Sequence, residues 1–396
     1  LENNDIISIN SKGYKTNTKY NSKYIKETSE SLTPDPYPHW TLKEINDQPK
    51  TILSAINNGA RILNNDIMLG GLNKLKHIIN LSKIEHIIIL GCGTSNHAGM
   101  IARYYFNNIK IFNTVQVFDG SDFKVSDIPN YGKVLAILCS QSGETRDLIN
   151  CIDVCREKDC ILLGIVNVVG SYISENVDCG VYMNAGREIA VASTKSFTST
   201  LIILSLIGLW FREKYQNISI LNTLRKLPTN IENLLINEEF KKQCNIIADY
   251  IIINNIKSIF ILGKGKLQPI AKEAALKIKE ITYIHVEGYS AGSLKHGPFA
   301  LLDRSAVTLL LIDEKNKENL TSTYQEITAR NTECFVISDT IFDNDNKNKI
   351  LQIEKVNHYQ EIMFAVALQY LAYILSIKRN INPDKPRNLA KVVTVE

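Results

Sequence analysis

Ile84-Glu-His-Ile-Ile-Ile-Leu90-Gly91-Cys92-Gly93 is an apolar run that stops at a pair of glycines. It returns 172 residues later as Ile256-Lys-Ser-Ile-Phe-Ile-Leu262-Gly263-Lys264-Gly265. Each copy reads as a buried strand, a tight turn and the start of a helix. At the same offset the strand starting near Val134 meets a second run, Ala306–Ile312. Working outward, strands at 84–90, 115–118, 134–139 and 161–166 alternate with helical stretches, one of them long and apolar at 192–214. Strands that alternate with helices form parallel sheets covered on both faces. The fold class predicted is therefore α/β, in two lobes of the same plan that arose by duplication.

Residues 1–40 are rich in Lys, Asn, Ser and Thr and end in Thr33-Pro34-Asp35-Pro36-Tyr37-Pro38, the composition of a linker. From Trp40 to about Lys83 the pattern is helical, with breaks at Gly59 and at Gly70-Gly71. A helical stretch at 221–254 joins the lobes, and Asn382-Pro-Asp-Lys-Pro386 stops the last one. The expected division is a leading segment 1–40, a first lobe 41–222, a second lobe 223–380 and a C-terminal tail 381–396.

The length, 396 residues, is enough for two or three domains at roughly 100–200 residues each. With 45 Lys and Arg against 41 Asp and Glu, a net charge of +4 supplies no basic field, so no nucleic-acid partner is expected. The apolar stretch 201–211 falls well short of the roughly 20 residues that span a bilayer, so no membrane is expected either. The polar opening LENNDIISIN reads without a signal peptide, and an initial Leu in place of Met reads as the sign of a longer chain. Eight cysteines with no CxxC suit neither a disulfide scaffold nor a zinc ribbon, and Cys151 with Cys155 lacks the further ligands of a metal set. A soluble protein of a reducing, cytoplasmic compartment is expected, with no metal and no cofactor.

Five places carry candidate chemistry. Gly91-Cys92-Gly93-Thr94-Ser95 lies where open parallel sheets bind ligands, at a strand's carboxyl end and a helix N-terminus. A plain tight turn and an incomplete dinucleotide fingerprint, with Asn96 in the third glycine position, remain alternatives there. Cys139-Ser140-Gln141-Ser142-Gly143-Glu144-Thr145 gathers three hydroxyls and an amide around one glycine before a helix at 146–154. Hydroxyls at such a turn hold a phosphate monoester through short hydrogen bonds and the helix dipole. Helix capping explains one hydroxyl and not three. Val191-Ala192-Ser193-Thr194-Lys195 opens the long apolar helix and doubles as a capping segment. Glu273, Lys277 and Glu280 share one helix face, either as a surface ion pair or as a carboxylate and ammonium able to move a proton. His296 follows in a Gly- and Pro-bounded turn, and Lys391 sits in an apolar tail that can be tied down or solvated.

Taken together, GCGTS, SQSGET, NAGREIAVASTKSFT, KEAALKIKEITYIHVEGYSAGSLKHGP and PRNLAKVVTVE stand in the order seen in the glucosamine-6-phosphate synthase family. The chain resembles that family's C-terminal synthase half, two tandem sugar isomerase (SIS) domains, from about Trp40 to Glu396. Residues 1–12 resemble the end of its N-terminal glutaminase domain. The resemblance implies an amidotransferring isomerase that turns fructose 6-phosphate and ammonia into glucosamine 6-phosphate. It implies that Ser140, Gln141, Ser142 and Thr145 hold the sugar phosphate, that Thr94 and Ser95 lie beside the sugar, and that Val191, Ala192 and Ser193 line its carbon chain. Glu280 would shuttle the proton between C1 and C2 with Lys277 next to it. His296, contributed by the neighbouring subunit of a homodimer, would open the ring. Lys391 would form an imine with C2 under the closing tail. Ser293, Arg187, Gly288 and Ser290 depart from the family's usual residues without touching these positions. No glutaminase fold is expected in these residues, so alone they would interconvert fructose 6-phosphate and glucose 6-phosphate. A non-catalytic phosphosugar sensor is the competing expectation.

Overall fold

A computed structural model describes residues 7–10, 13–16, 33–212, 214–342 and 349–391. Most of the leading segment 1–32, and the tail beyond Lys391, lie outside the described residues. The chain divides into two compact units, Leu1–Pro36 and Tyr37–Glu396. In the first, strand Ile7–Asn10 pairs antiparallel with Gly13–Thr16.

The second unit opens with helices α1 (Trp40–Asn46) and α2 (Gln48–Ala55). A small hairpin, Ile62–Leu63 with Asp66–Ile67, and a short helix, Asn73–Ile78, follow. The expected helical run from 40 to 83 is thus interrupted after Ala55, where Asn57, Asn58, Asn64 and Asn65 take positive φ. Asparagine tolerates that conformation better than most residues and turns the chain there.

The first lobe has strands β1 (Ile84–Gly91), β2 (Thr114–Asp119), β3 (Lys133–Ser140), β4 (Ile161–Val166) and β5 (Cys179–Tyr182). They form one parallel sheet in the order β2-β1-β3-β4-β5. Its principal helices are α3 (Thr94–Asn107), α4 (Arg146–Arg156) and α5 (Lys195–Trp210). Helices α6 (Ile218–Ile236) and α7 (Glu238–Ile253) connect the lobes.

The second lobe repeats the plan. Strands β6 (Ser258–Gly263), β7 (His285–Ser290), β8 (Ala306–Ile312), β9 (Glu333–Ser338) and β10 (Ile350–Gln352) form a parallel sheet in the order β7-β6-β8-β9-β10. Its helices are α8 (Leu267–Thr282), α9 (Lys317–Thr328) and α10 (Gln360–Lys378).

The repeat is also a repeat of burial. Along β1, Ile87 and Ile89 enter the large central core, while Ile88 and Leu90 enter a separate cluster with α4. Along β6, Ile259 and Ile261 enter the same central core, and Phe260 and Leu262 turn to the opposite face. A period of two with both faces apolar is what a doubly covered strand requires. The inner faces of both sheets therefore share one core with α3, α5, α8 and α10 between them. Helix α10 is long and apolar enough to cross a membrane, yet 83% of its apolar window is buried in that core. The glycines that end β1 and β6 are close approaches of the same kind. A Cβ on Gly91 would meet the Ser95 carbonyl carbon at 2.6 Å, and one on Gly263 would collide with the Leu267 carbonyl.

Helix α5 begins at Lys195 rather than at residue 192, and ends at Trp210. Thr194 is its N-cap, with φ −128° and ψ −73°, and the segment before it is held out of the helix by side-chain contacts.

Candidate functional site

At the carboxyl end of β3 the chain turns at Gly143, φ +71°, against the Ser171 hydroxyl. Any Cβ there would strike Ser171 Oγ. The turn folds Ser140 Oγ onto the Gly143 N–H at 2.9 Å and onto Thr145 Oγ1 at 2.9 Å. Ser142 Oγ accepts from the Glu144 N–H at 3.1 Å. Thr145 is the N-cap of α4 but makes no side-chain capping bond. Its hydroxyl and that of Ser140 thus converge on the mouth of the turn, beside the half-buried Gln141 and Ser142. Glu144 is turned away, accepting from the Tyr172 N–H at 2.8 Å. The equivalent turn of the second lobe, Asp313-Glu-Lys-Asn316, has no hydroxyl, so only the first lobe carries this cradle.

The neighbouring strand β1 delivers Thr94 and Ser95 at the first turn of α3. Thr94 Oγ1 donates to Glu273 Oε1 at 3.0 Å, and His97 Nδ1 lies 2.7 Å from Glu273 Oε2. Glu273 sits on α8 of the second lobe, fully enclosed. One turn on, Lys277 Nζ lies 3.6 Å from Glu273 Oε1 and 2.7 Å from Glu280 Oε2. Burial alone would discharge Lys277, but Glu280 and Glu273 outweigh it and raise its pKa above the ordinary lysine value. Lys277 is therefore a fixed cation, and Glu280 beside it is the less buried of its two carboxylate partners, 19% exposed against 2% for Glu273.

The segment before α5 supplies a third wall. Val191 and Ser193 are half-buried and Ala192 is buried. All three follow Glu188, which the motif reading passed over. Ser193 Oγ, the Thr194 N–H, the Ser196 N–H and the Ser196 hydroxyl all donate to the enclosed Glu188 carboxylate, at 2.8–3.1 Å. The tail completes the set: Lys391 Nζ donates to Glu188 Oε2 at 2.6 Å. Burial works to raise the Glu188 pKa, but Lys391 and these donors overcome it and draw it down to about 2. Glu188 also contributes to raising Lys277, which puts the tail lysine and the Lys277–Glu280 pair in one electrostatic neighbourhood.

A second missed carboxylate backs the first. Glu44 of α1, buried, accepts from the Ile189 N–H at 2.5 Å and the Ala190 N–H at 3.4 Å. Burial, then the nearby Glu188 charge, raise its pKa to about 8. Little in the sequence signals either residue: Glu188 follows Arg187 and precedes Ile189-Ala-Val191, and Glu44 lies between Lys43 and Ile45.

His296 stands apart from this assembly. It ends a 3₁₀ turn, Ala291–His296, is exposed, and its ring makes no hydrogen bond among the described residues. The contacts thus tie Thr94 through Glu273 to Lys277 and Glu280, and Ser193 through Glu188 to Lys391; the 140–145 turn lies at the end of β3, the strand beside β1, and His296 is left to solvent. Among the described residues no group of His, Cys, Asp and Glu could hold a metal ion.

Known proteins resemble the chain over most of its length. A relative from Acanthamoeba polyphaga mimivirus, a probable glutamine–fructose-6-phosphate aminotransferase (isomerizing), is 41% identical over 99% of this chain and 65% of its own length. Human glutamine–fructose-6-phosphate aminotransferase (isomerizing) 2 is 35% identical over 89% of this chain and 52% of its own length. The chain thus spans between half and two thirds of these relatives. A solved structure, the C-terminal domain of glucosamine-fructose-6-phosphate aminotransferase from Francisella tularensis, superposes with a TM-score of 0.81 at 29% identity. That match covers 90% of this chain and 100% of the other. The SIS domain model matches twice, at residues 80–209 and 252–379, one match per lobe. These two stretches take in well over half of the residues, and the chain belongs to the SIS domain family.

Proposed function

We propose that these residues form the sugar-phosphate half of a glutamine–fructose-6-phosphate aminotransferase (isomerizing). The observation that carries the reading is the seat of Lys391: the tail folds back so that its amine rests on Glu188, beside the Lys277–Glu280 pair. In this reading the phosphate of fructose 6-phosphate occupies the cradle of Ser140, Gln141, Ser142 and Thr145, under the positive end of α4. Thr94 and Ser95 flank the sugar, and Val191, Ala192 and Ser193 line its chain.

The chemistry follows from the charges. Lys391, an ammonium while it rests on Glu188, gives its proton to water on leaving that carboxylate. The free amine then adds to the C2 carbonyl of the open-chain ketose, and water departs with uptake of a proton, giving a protonated imine. That cation makes the C1 proton acidic. Ammonia then displaces the Lys391 amine from C2, and Glu280 moves the proton from C1 to C2, so that C1 becomes the aldehyde and C2 keeps the amine. In ammonia's absence Glu280 moves the same proton in the free ketose, through an enediol. Lys277 stays charged throughout and holds the Glu280 carboxylate in place between transfers. His296 opens the hexose ring and reaches the site from the partner in a homodimer, which accounts for its exposure in a single chain. Ammonia released by a glutaminase domain of the longer protein would yield glucosamine 6-phosphate. Without it these residues interconvert fructose 6-phosphate and glucose 6-phosphate, in the cytoplasm.

The test is incubation with fructose 6-phosphate, coupled to glucose-6-phosphate dehydrogenase, followed by borohydride reduction. NADPH formation and a reduced sugar adduct on Lys391 are expected. Turnover with an unmodified Lys391 would defeat the imine route, and absence of NADPH would defeat the isomerase reading.

A further inference from the structure

The tail that carries Lys391 is held at a second point, seven residues earlier. Asp384 Oδ2 accepts from the Trp40 N–H at 2.9 Å, and Oδ1 accepts from the Thr41 N–H and the Thr41 hydroxyl, each at 2.8 Å. These are the unpaired donors at the start of α1, whose own N-cap, His39, makes no side-chain capping bond. Asp384 caps the helix from 343 residues away, with its charge at the positive end of the helix dipole. Its backbone carbonyl meanwhile accepts from the Val191 N–H at 3.2 Å. One side of the residue thus grips α1 and the other grips the sugar-lining segment.

These contacts close a loop of bonded groups. From Asp384 the path enters α1 at Thr41. One turn later Glu44 holds the N–H groups of Ile189 and Ala190. The next residue back, Glu188, binds Lys391, and the tail returns to Asp384. Between its ends the tail has one further hold: the Arg387 N–H donates to Tyr283 Oη at 2.8 Å, and the Arg387 guanidinium lies 4.3 Å from the centre of that ring. Tyr283 is the left-handed C-cap of α8, the helix of Lys277 and Glu280. A short segment fixed at this many points presents its last side chain along a defined line, which is what an amine that must meet one carbon needs.

We propose that Asp384 is a positioning residue for Lys391: it ties the tail to the first turn of α1 and to Val191, and so sets where the tail amine meets the sugar. The proposal rests on the imine reading above for its catalytic consequence, but the tether is testable without it. Asp384 does not touch the phosphate cradle, so its loss alters attack and not capture.

The experiment compares Asp384→Asn, Asp384→Glu and Thr41→Val with the parent chain, measuring kcat and KM for fructose 6-phosphate in glucosamine 6-phosphate formation with an ammonium salt supplied. It adds the borohydride-trapped fraction and the rate of tryptic cleavage after Arg387. For Asp384→Asn, kcat and trapping should fall roughly tenfold to a hundredfold, as about 1 Å of misplacement does, while KM holds within about threefold. Cleavage after Arg387 should be faster. Asp384→Glu should recover much of the loss, and Thr41→Val should shift each quantity in the same direction by less, keeping the test alive if Asp384→Asn does not fold. Parental kcat, trapping and cleavage in Asp384→Asn would overturn the proposal, as would a rise in KM that matches the fall in kcat. If the parent turns over but is never trapped, the imine reading fails on its own, and the cleavage rates alone decide the tether.

Discussion

Glu188 is enclosed by protein and still anionic, because Lys391 and a set of backbone and hydroxyl donors pay for its burial. Its pKa is lowered, so the stability it contributes is complete above pH 4.5 and is lost as the pH falls from there to about 2. Glu44 works in the opposite sense. The folded chain keeps its proton up to about pH 8, whereas an unfolded glutamate releases it near pH 4.5, so this group makes stability fall as pH rises between those values. Glu44→Gln should therefore flatten the decline in melting temperature between pH 5 and pH 8.5. An unchanged decline would show that Glu44 is ionised in the folded state. At the reacting carbons, Glu280→Gln should lower kcat by about 10²–10⁴-fold. A Glu280→Gln variant that isomerises like the parent would remove Glu280 from the proton transfer. Ser142→Ala removes a hydrogen bond to a charged group worth about 1.5–3 kcal/mol. In the proposed function the phosphate is held from capture to release, so that loss belongs in KM, and a fall in kcat alone would contradict the cradle.

At the scale of elements, the 140–145 turn depends on one backbone conformation. Gly143→Ala adds a methyl at φ +71° that meets Ser171, so it should displace the turn and weaken phosphate binding more than Ser142→Ala does. Titration with glucose 6-phosphate measures both. The strands were legible because their burial is written residue by residue: Ile161–Val166 is apolar throughout, and the strand spans exactly the run read from sequence only because both faces are covered. The cradle was legible for the complementary reason, since three hydroxyls beside a glycine exceed what a cap needs. In the structure Thr145, the N-cap of α4, makes no side-chain capping bond. The start of α5 was not legible. Ala192-Ser-Thr-Lys195 has the composition of a first helical turn, and only Glu188, by binding the Thr194 and Ser196 N–H groups, holds it open. Asp384 was hidden for a related reason, because a cap supplied from the far end of the chain leaves no local pattern at Trp40.

For the whole molecule, the exposed His296 and the half-buried Lys391 make a prediction about assembly. If the histidine acts across an interface, His296→Ala and Lys391→Ala chains, each inactive with cyclic substrate, should regain up to about a quarter of parental activity when unfolded together and reassembled, since random pairing gives half mixed dimers with one intact site each. Recovery no greater than the unmixed controls would place each site within one chain. A second feature concerns the bond between the duplicated halves. Glu273 belongs to the second lobe, but Thr94 and His97, which hold it, belong to the first. Glu273→Ala should cost about 3–5 kcal/mol, the usual consequence of stripping a buried ion pair of one member. Two copies of an ancestral module have thus come to own one acid in common. Neither could now be inherited, excised or shuffled into another gene without carrying away a raw, charged scar, so what began as a repeat has become indivisible.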